Sequence, residues 1–159
     1  MVFDTNLLIE HIRRQQMLPA RAVIPVVVVG ELEAFALKAD WGYQKVSFMQ
    51  RLFERFPIVE VIREITTFYA RIDAYSQGNL QGQPLPPGLS ARNMGKNDIW
   101  IAATALYLDL ELHTTDNDFN HLPPLGLQLV KARWAYLTAE DRIKNGEFLS
   151  TSPGFASAE

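Results

Sequence analysis

Apolar residues along this chain fall in short runs separated by stretches that repeat with helical spacing. Val2 and Phe3 form a stub before Asp4-Thr5-Asn6, and Leu7, Leu8, Ile9 and Ile12 then recur up to the polar end Arg13-Arg14-Gln15-Gln16. This pattern predicts a minimal strand feeding a helix. Residues 22–29 (AVIPVVVV) are a continuous, largely β-branched run, as expected of a strand buried on both faces of a parallel sheet. Pro25 has no ladder donor, which confines that strand mostly to Val26–Val29. Gly30 then leads into a helix from Glu31 to Lys38, ending near Trp41-Gly42. A second helix is predicted from Tyr43 to Phe56, with Val46, Met49, Leu52, Phe53 and Phe56 on one broad face and Pro57 as its stop.

Ile58, Val59, Val61 and Ile62 predict the next strand, and Ile65, Phe68, Tyr69, Ile72 and Tyr75 a helix running to Gly78. Residues 79–95 hold three Pro and three Gly and read as a surface loop, of a length that in compact domains is functional or mobile. After Asn97-Asp98, the residues Ile99, Ala102, Ala103, Leu106 and Leu110 mark a helix packed through alanines. Glu111 to Thr115 reads as a strand, Asp116-Asn117-Asp118-Phe119 as a turn into a short helix, and Leu127, Leu129 and Val130 as a last strand. Strands alternating with helices imply an α/β fold, an open parallel five-stranded sheet flanked by helices and joined by right-handed crossovers. No repeat or dividing linker interrupts residues 1–134, which form one domain. Residues 135–159 are expected to form a C-terminal extension, helical from Thr138 to Asn145 and then frayed.

The 159 residues include 15 Lys+Arg, 18 Asp+Glu, 3 His and no Cys. A chain of about this length buries close to 70% of its unfolded surface, enough for a real core. The absence of cysteine excludes a disulfide scaffold, a Cys-ligated zinc site, an iron–sulfur cluster and a cysteine nucleophile. A formal charge of -3 argues against holding nucleic acid by bulk electrostatics, though not against local contact. No apolar run approaches the roughly 20 residues of a membrane helix, and Met1–Asn6 lacks a signal-peptide layout, so a cytoplasmic protein is expected.

Ligands of open α/β sheets bind beyond the carboxyl ends of the strands. Asp4 follows the first predicted strand, Glu31 the second, and Asp116 and Asp118 the strand ending at Thr115. Asp98 opens a helix antiparallel to the strands, which brings its N-terminus to the same rim. Each acid has an ordinary reading alone: Asp4 as a helix N-cap, Glu31 and Asp98 as partners of helix dipoles, Asp116-Asn117-Asp118 as an Asx-turn. These readings do not explain why the acids share a rim. Two unit charges about 4 Å apart repel by roughly 4 kcal/mol at an effective dielectric near 20. Mg²⁺ or Mn²⁺ is the natural partner for such an all-oxygen set.

The segments V-F-D-T-N (2–6), V-V-G-E-L (28–32), N-D-I-W-I-A-A-T-A (97–105) and T-T-D-N-D-F (114–119), in that order and spacing, resemble the PIN-domain nucleases, which include the VapC toxins of bacterial toxin–antitoxin pairs. The resemblance covers about residues 1–134 and implies an acidic quartet at Asp4, Glu31, Asp98 and Asp116, with Asp118 at an extra acidic position. It places a supporting hydroxyl at Thr115, and Asn6 is expected to orient Asp4. The implied activity is hydrolysis of RNA phosphodiesters with one or two Mg²⁺ (or Mn²⁺) ions, leaving a 5′-phosphate and a 3′-hydroxyl. An antitoxin is the implied partner. The first strand is shorter than is usual in the family, so its start is expected to be weak.

Lys96 and Arg92 are the basic residues best placed to meet the phosphate backbone, although ordinary solvated charge describes them equally well. His11, His113 and His121 lack metal-ligand spacing and read as packed or surface histidines, while Trp41, Trp100 and Trp134 read as core or interface. The wide apolar face of the 43–56 helix is core first, and a homodimer or antitoxin surface second. A non-catalytic PIN-like module that binds RNA or protein is the alternative function. Phosphoryl transfer through Asp4 is disfavoured, because residue 6 is Asn rather than a second acid.

Overall fold

In the computed structural model, which describes residues 1–132, the centre of the molecule is a strand of two residues, β1 (Val2–Phe3). Both side chains are fully buried. β1 pairs in parallel with β4 (Leu112–Thr114), in register Val2 with Leu112 and Phe3 with His113, and β4 pairs in parallel with β5 (Leu129–Lys131). On its other side Val2 forms a parallel bridge to Val23, next to the parallel pair β2 (Ile24–Pro25) and β3 (Ile58–Val59). A three-stranded sheet, β1-β4-β5, and a two-stranded one, β2-β3, are thus joined through the Val2–Val23 bridge into the all-parallel order β3-β2-β1-β4-β5, five parallel strands as expected from the sequence. The start of β1 is not weak. Backbone bonds from Val2 N to Glu111 O (2.7 Å), Asp4 N to His113 O (3.0 Å) and Val23 N to Met1 O (3.0 Å) fasten it on both sides.

Among the described residues five helices flank the sheet: α1 (Thr5–Arg13), α2 (Val26–Lys38), α3 (Tyr43–Arg55), α4 (Ile65–Ser76) and α5 (Lys96–Leu108). α1 packs on α2 and α3, α4 on α5, and α5 on α2 and β1. Fully buried Ala102, Ala103 and Ala105, with Ile99 and Ile101, allow α5 to approach its neighbours closely. The apolar face of α3 is spent on the core, with Phe48, Met49 and Leu52 buried. Asp109 ends α5 in the left-handed conformation (φ 51°), one that Asp and Asn tolerate better than most residues.

The valine run is the main correction. Residues 26–29 are not a strand but the first turn of α2, and the strand before it is only Ile24–Pro25. Four β-branched residues are poor helix formers, at roughly half a kcal/mol each relative to Ala. Burial of Val28, Leu32 and Ala36, four residues apart on one face, outweighs that cost. Pro25 marks the boundary: extended at φ -61° and ψ 142°, it closes β2 and stands at the N-cap of α2. The third strand also stops early, leaving Val61 and Ile62 exposed. The short helix after Phe119 is a 3-10 turn at Pro123–Leu125. The helix expected from Thr138 to Asn145 lies outside the described residues.

The burial of β1 has a direct consequence for stability. Phe3→Ala is expected to cost about 3–5 kcal/mol, whereas Tyr43→Ala on the solvent face of α3, where Tyr43 is 86% exposed, should change stability by no more than about 0.5 kcal/mol. Urea unfolding of the two variants checks this contrast.

Candidate functional site

Asp4 leaves the carboxyl end of β1 and occupies the N-cap position of α1, yet its side chain does not cap the helix. Its Oδ2 instead accepts a hydrogen bond from the Thr114 hydroxyl at 2.8 Å, across the β1–β4 pair. The same Thr114 oxygen accepts from the Asp116 amide at 2.9 Å, so one buried hydroxyl joins two of the acids. Asp116 Oδ1 in turn accepts from the Asp118 amide at 2.9 Å, which is the Asx-turn expected there. Lys131, at the end of β5, donates to the Asp116 carbonyl and, at 3.1 Å, to Asn117 Oδ1, pinning the acidic turn to the sheet.

Glu31 projects from the second turn of α2, not from a strand–helix junction, because α2 begins five residues earlier than the sequence suggests. Its two oxygens are held separately: Oε2 accepts from the Thr5 hydroxyl, and Oε1 from Asn97 Nδ2 at 2.8 Å. This carboxylate therefore ties α2 to the starts of α1 and α5. Asp98 lies in the first turn of α5, its carboxyl folded over Gly95. A Cβ at residue 95 would come within 2.5 Å of Asp98 Oδ2, so glycine there leaves the space that Asp98 fills.

Asp4, Thr5, Asn6, Glu31, Asn97 and Asp98 line one end of a cleft of about 570 Å³. Burial pushes the Asp98 carboxyl up from 3.8 to about 6, and the charges of Asp4, Glu31, Asp116 and Asp118 add to the shift. A position in the first turn of a helix would by itself favour the carboxylate; desolvation and like charge win. Burial likewise raises the Asp4 carboxyl, opposed by the Thr114 hydrogen bond and reinforced by Asp116 and Glu31. The acids thus form one electrostatic neighbourhood. Among the described residues, however, no three acidic or histidine side chains already converge as a finished metal cage. The donor set fits a hard divalent cation in its chemistry: carboxylate oxygens only, partly desolvated and mutually repelling.

Several supporting roles differ from those expected. The hydroxyl that holds Asp4 belongs to buried Thr114, whereas Thr115 is exposed, because side chains alternate along β4. Asn6 is exposed in the cleft, and the side chain bonded to Asp4 is that of Thr114. Lys96 and Arg92 do not line the cleft. Lys96 is tethered to Asp73 on α4 at 3.2 Å, and the Arg92 amide bonds Ser76 O at 2.8 Å. The basic side chain lining the cleft is Lys38, which the sequence pattern did not single out. Asp118 is exposed and reaches the site through its charge. The histidines are packed: His11 and His113 against Phe3, and His121 with its Nε2 2.8 Å from Ser76 Oγ. Trp41 and Trp100 pack on Phe35 and Tyr69.

The raised Asp98 carboxyl sets a pH dependence. The folded chain binds this proton at a higher pH than the unfolded chain, so without divalent cation stability rises as pH falls from about 6 toward 4 and is lost as pH rises. Between about pH 7 and about pH 5, the melting temperature of the wild type should rise relative to that of Asp98→Asn. Parallel profiles for the two proteins would show that Asp98 is not strained in this way.

Comparison with known proteins agrees with this fold. The profile of the PIN domain family matches residues 1–124. No curated protein matches. Among solved structures, VapBC2 from Rickettsia felis, bound to a DNA fragment from its promoter, is 22% identical with a TM-score of 0.60, over 82% of this chain and 98% of that one. FitAcB from Neisseria gonorrhoeae is 19% identical with a TM-score of 0.60, over 80% and 94%. VapBC-5 from Mycobacterium tuberculosis, a member of a family of toxin–antitoxin systems, is 24% identical with a TM-score of 0.56, over 81% and 94%. With its parallel sheet, its acid-lined cleft and a family match over most of its length, the chain belongs to the PIN domain family.

Proposed function

We propose that the protein is a Mg²⁺- or Mn²⁺-dependent endoribonuclease and the toxin of a toxin–antitoxin pair, with an antitoxin protein as its partner. The observation that carries the nuclease reading is the electrostatic clustering of Asp4, Glu31, Asp98 and Asp116, the first three of them lining one cleft and Asp116 held beside Asp4 through Thr114. The likeness in fold to proteins from toxin–antitoxin systems supports the partner.

Asp4, Asp98 and Asp116 would hold the cation, which when bound supplies charge stabilisation at the phosphate and a more acidic water. Thr114 favours the ionised form of Asp4 and aims it. Glu31, fixed by Thr5 and Asn97, presents a carboxylate that orients the attacking water. The water gives a proton to the Glu31 carboxylate as its oxygen bonds to phosphorus, the P–O3′ bond breaks, and the departing O3′ takes a proton from a solvent water, leaving a 5′-phosphate and a 3′-hydroxyl. Asn6 and Thr5 line the same end of the cleft as hydrogen-bonding groups for the strand.

Asp98→Asn is expected to lower metal-dependent RNA cleavage about 100-fold or more while the fold survives. Thr114→Val, nearly isosteric, should lower it roughly 10–100-fold through loss of Asp4 orientation. MgCl₂ or MnCl₂ should raise the melting temperature of the wild type and raise that of Asp98→Asn less. Full activity in Asp98→Asn refutes the catalytic role. A folded wild type with neither cleavage nor a metal-dependent melting shift favours the PIN-like binding module instead.

A further inference from the structure

The cleft does not end at the acids. Beyond Glu31 it continues along α2 and α1, lined by Ile9, Val27, Ala34, Phe35 and Lys38. Residues 31, 35 and 38 are spaced by four and three and so share one helix face. Seven residues at 1.5 Å each put Lys38 about 10.5 Å along the helix from Glu31. A carboxylate, an aromatic ring and an ammonium group therefore follow one another along a single continuous groove. Phe35 is only partly buried. Trp41 packs edge-on against it at 5.4 Å and 71°, and the Arg13 guanidinium lies over the ring, 5.7 Å from its centroid. Lys38 is exposed and forms no ion pair among the described residues.

We propose that this arm of the cleft is the path of the single-stranded RNA, with Phe35 as the platform for a base next to the scissile phosphate and Lys38 as the contact for a phosphate further along. This rests on the nuclease reading of the site. An apolar wall with an aromatic ring suits a base, since every base offers a π-face, and an unpaired cation suits the backbone. The acids need a cation before a phosphate can approach them, whereas Lys38 attracts phosphate unaided. The backbone is thus drawn to the far end of the groove, and the acids act only where the strand crosses them.

The test is equilibrium binding of a fluorescein-labelled, short single-stranded RNA to full-length Asp98→Asn protein, which prevents cleavage, with and without a second substitution. Phe35→Leu keeps an apolar side chain against Trp41 and should weaken binding roughly 5- to 150-fold, while Phe35→Tyr should bind like the parent. An RNA with abasic residues should erase the difference between Phe and Leu, which a merely structural role would not do. Lys38→Gln should reduce the slope of log affinity against log salt by about 0.7, and Lys38→Arg should leave it unchanged. Affinity and salt slope unchanged in both Phe35→Leu and Lys38→Gln, or no RNA binding by the parent, overturns the path. Cleavage by the wild type is read separately: cleavage with indifferent Phe35 and Lys38 leaves the nuclease standing without this path, and binding that depends on both residues without any cleavage leaves the path standing without the nuclease.

Discussion

The repulsion among carboxylates gathered at the carboxyl rim of a short parallel sheet is the constraint on which the site depends. A parallel sheet delivers chain turns to one edge, and here two of those turns, carrying Asp4 and Asp116, and two helices, carrying Glu31 and Asp98, deliver acids. Left to itself such a group lowers stability: burial, reinforced by the neighbouring carboxylates, raises the proton affinities of Asp98 and Asp4. The fold offsets it locally with hydrogen bonds to the charged forms: Thr114 to Asp4, Thr5 and Asn97 to Glu31, and the Asp118 amide to Asp116. Asp98, raised to about 6 by burial and by the charges of Asp4, Glu31, Asp116 and Asp118, is an acid that a cation would relieve.

The rest of the architecture serves to keep that group in place. β1 is only two residues long, but it is bonded on both sides and wholly buried, so Asp4 emerges from the most constrained point of the sheet. The Thr114 hydroxyl crosses from β4 to Asp4, and Lys131 at the end of β5 pins the following turn. α5 is drawn in close by its alanines and brings Asp98 to the rim, with Gly95 leaving room for the carboxyl. Each of these positions depends on packing contributed by a distant segment.

Much of this was legible in the residues alone. The alternation of strands and helices, the loop at 79–95 and the acids at 4, 98 and 116 all follow from spacing and from turn chemistry. The valine run reads as a strand from sequence because a segment apolar on every side carries no period, and length and composition then favour a strand. Pro25 was the usable sign: it closes the strand and opens the helix. Thr114 and Thr115 differ only in which way the strand points them, and a one-residue ambiguity in register exchanges the buried hydroxyl for the exposed one. Lys38 and Phe35 were invisible as site residues, since their place in the cleft follows from starting α2 at Val26 and from how α1 lies against it.

The central claim is that these acids are held together for a divalent ion, and the most direct measurement is a crystal structure of the protein grown with Mn²⁺, with the ion located by its anomalous scattering. The account predicts a peak bonded to carboxylate oxygens of both Asp4 and Asp98. A fully occupied peak elsewhere on the surface, or none at saturating Mn²⁺ with the four acids well ordered, would contradict it.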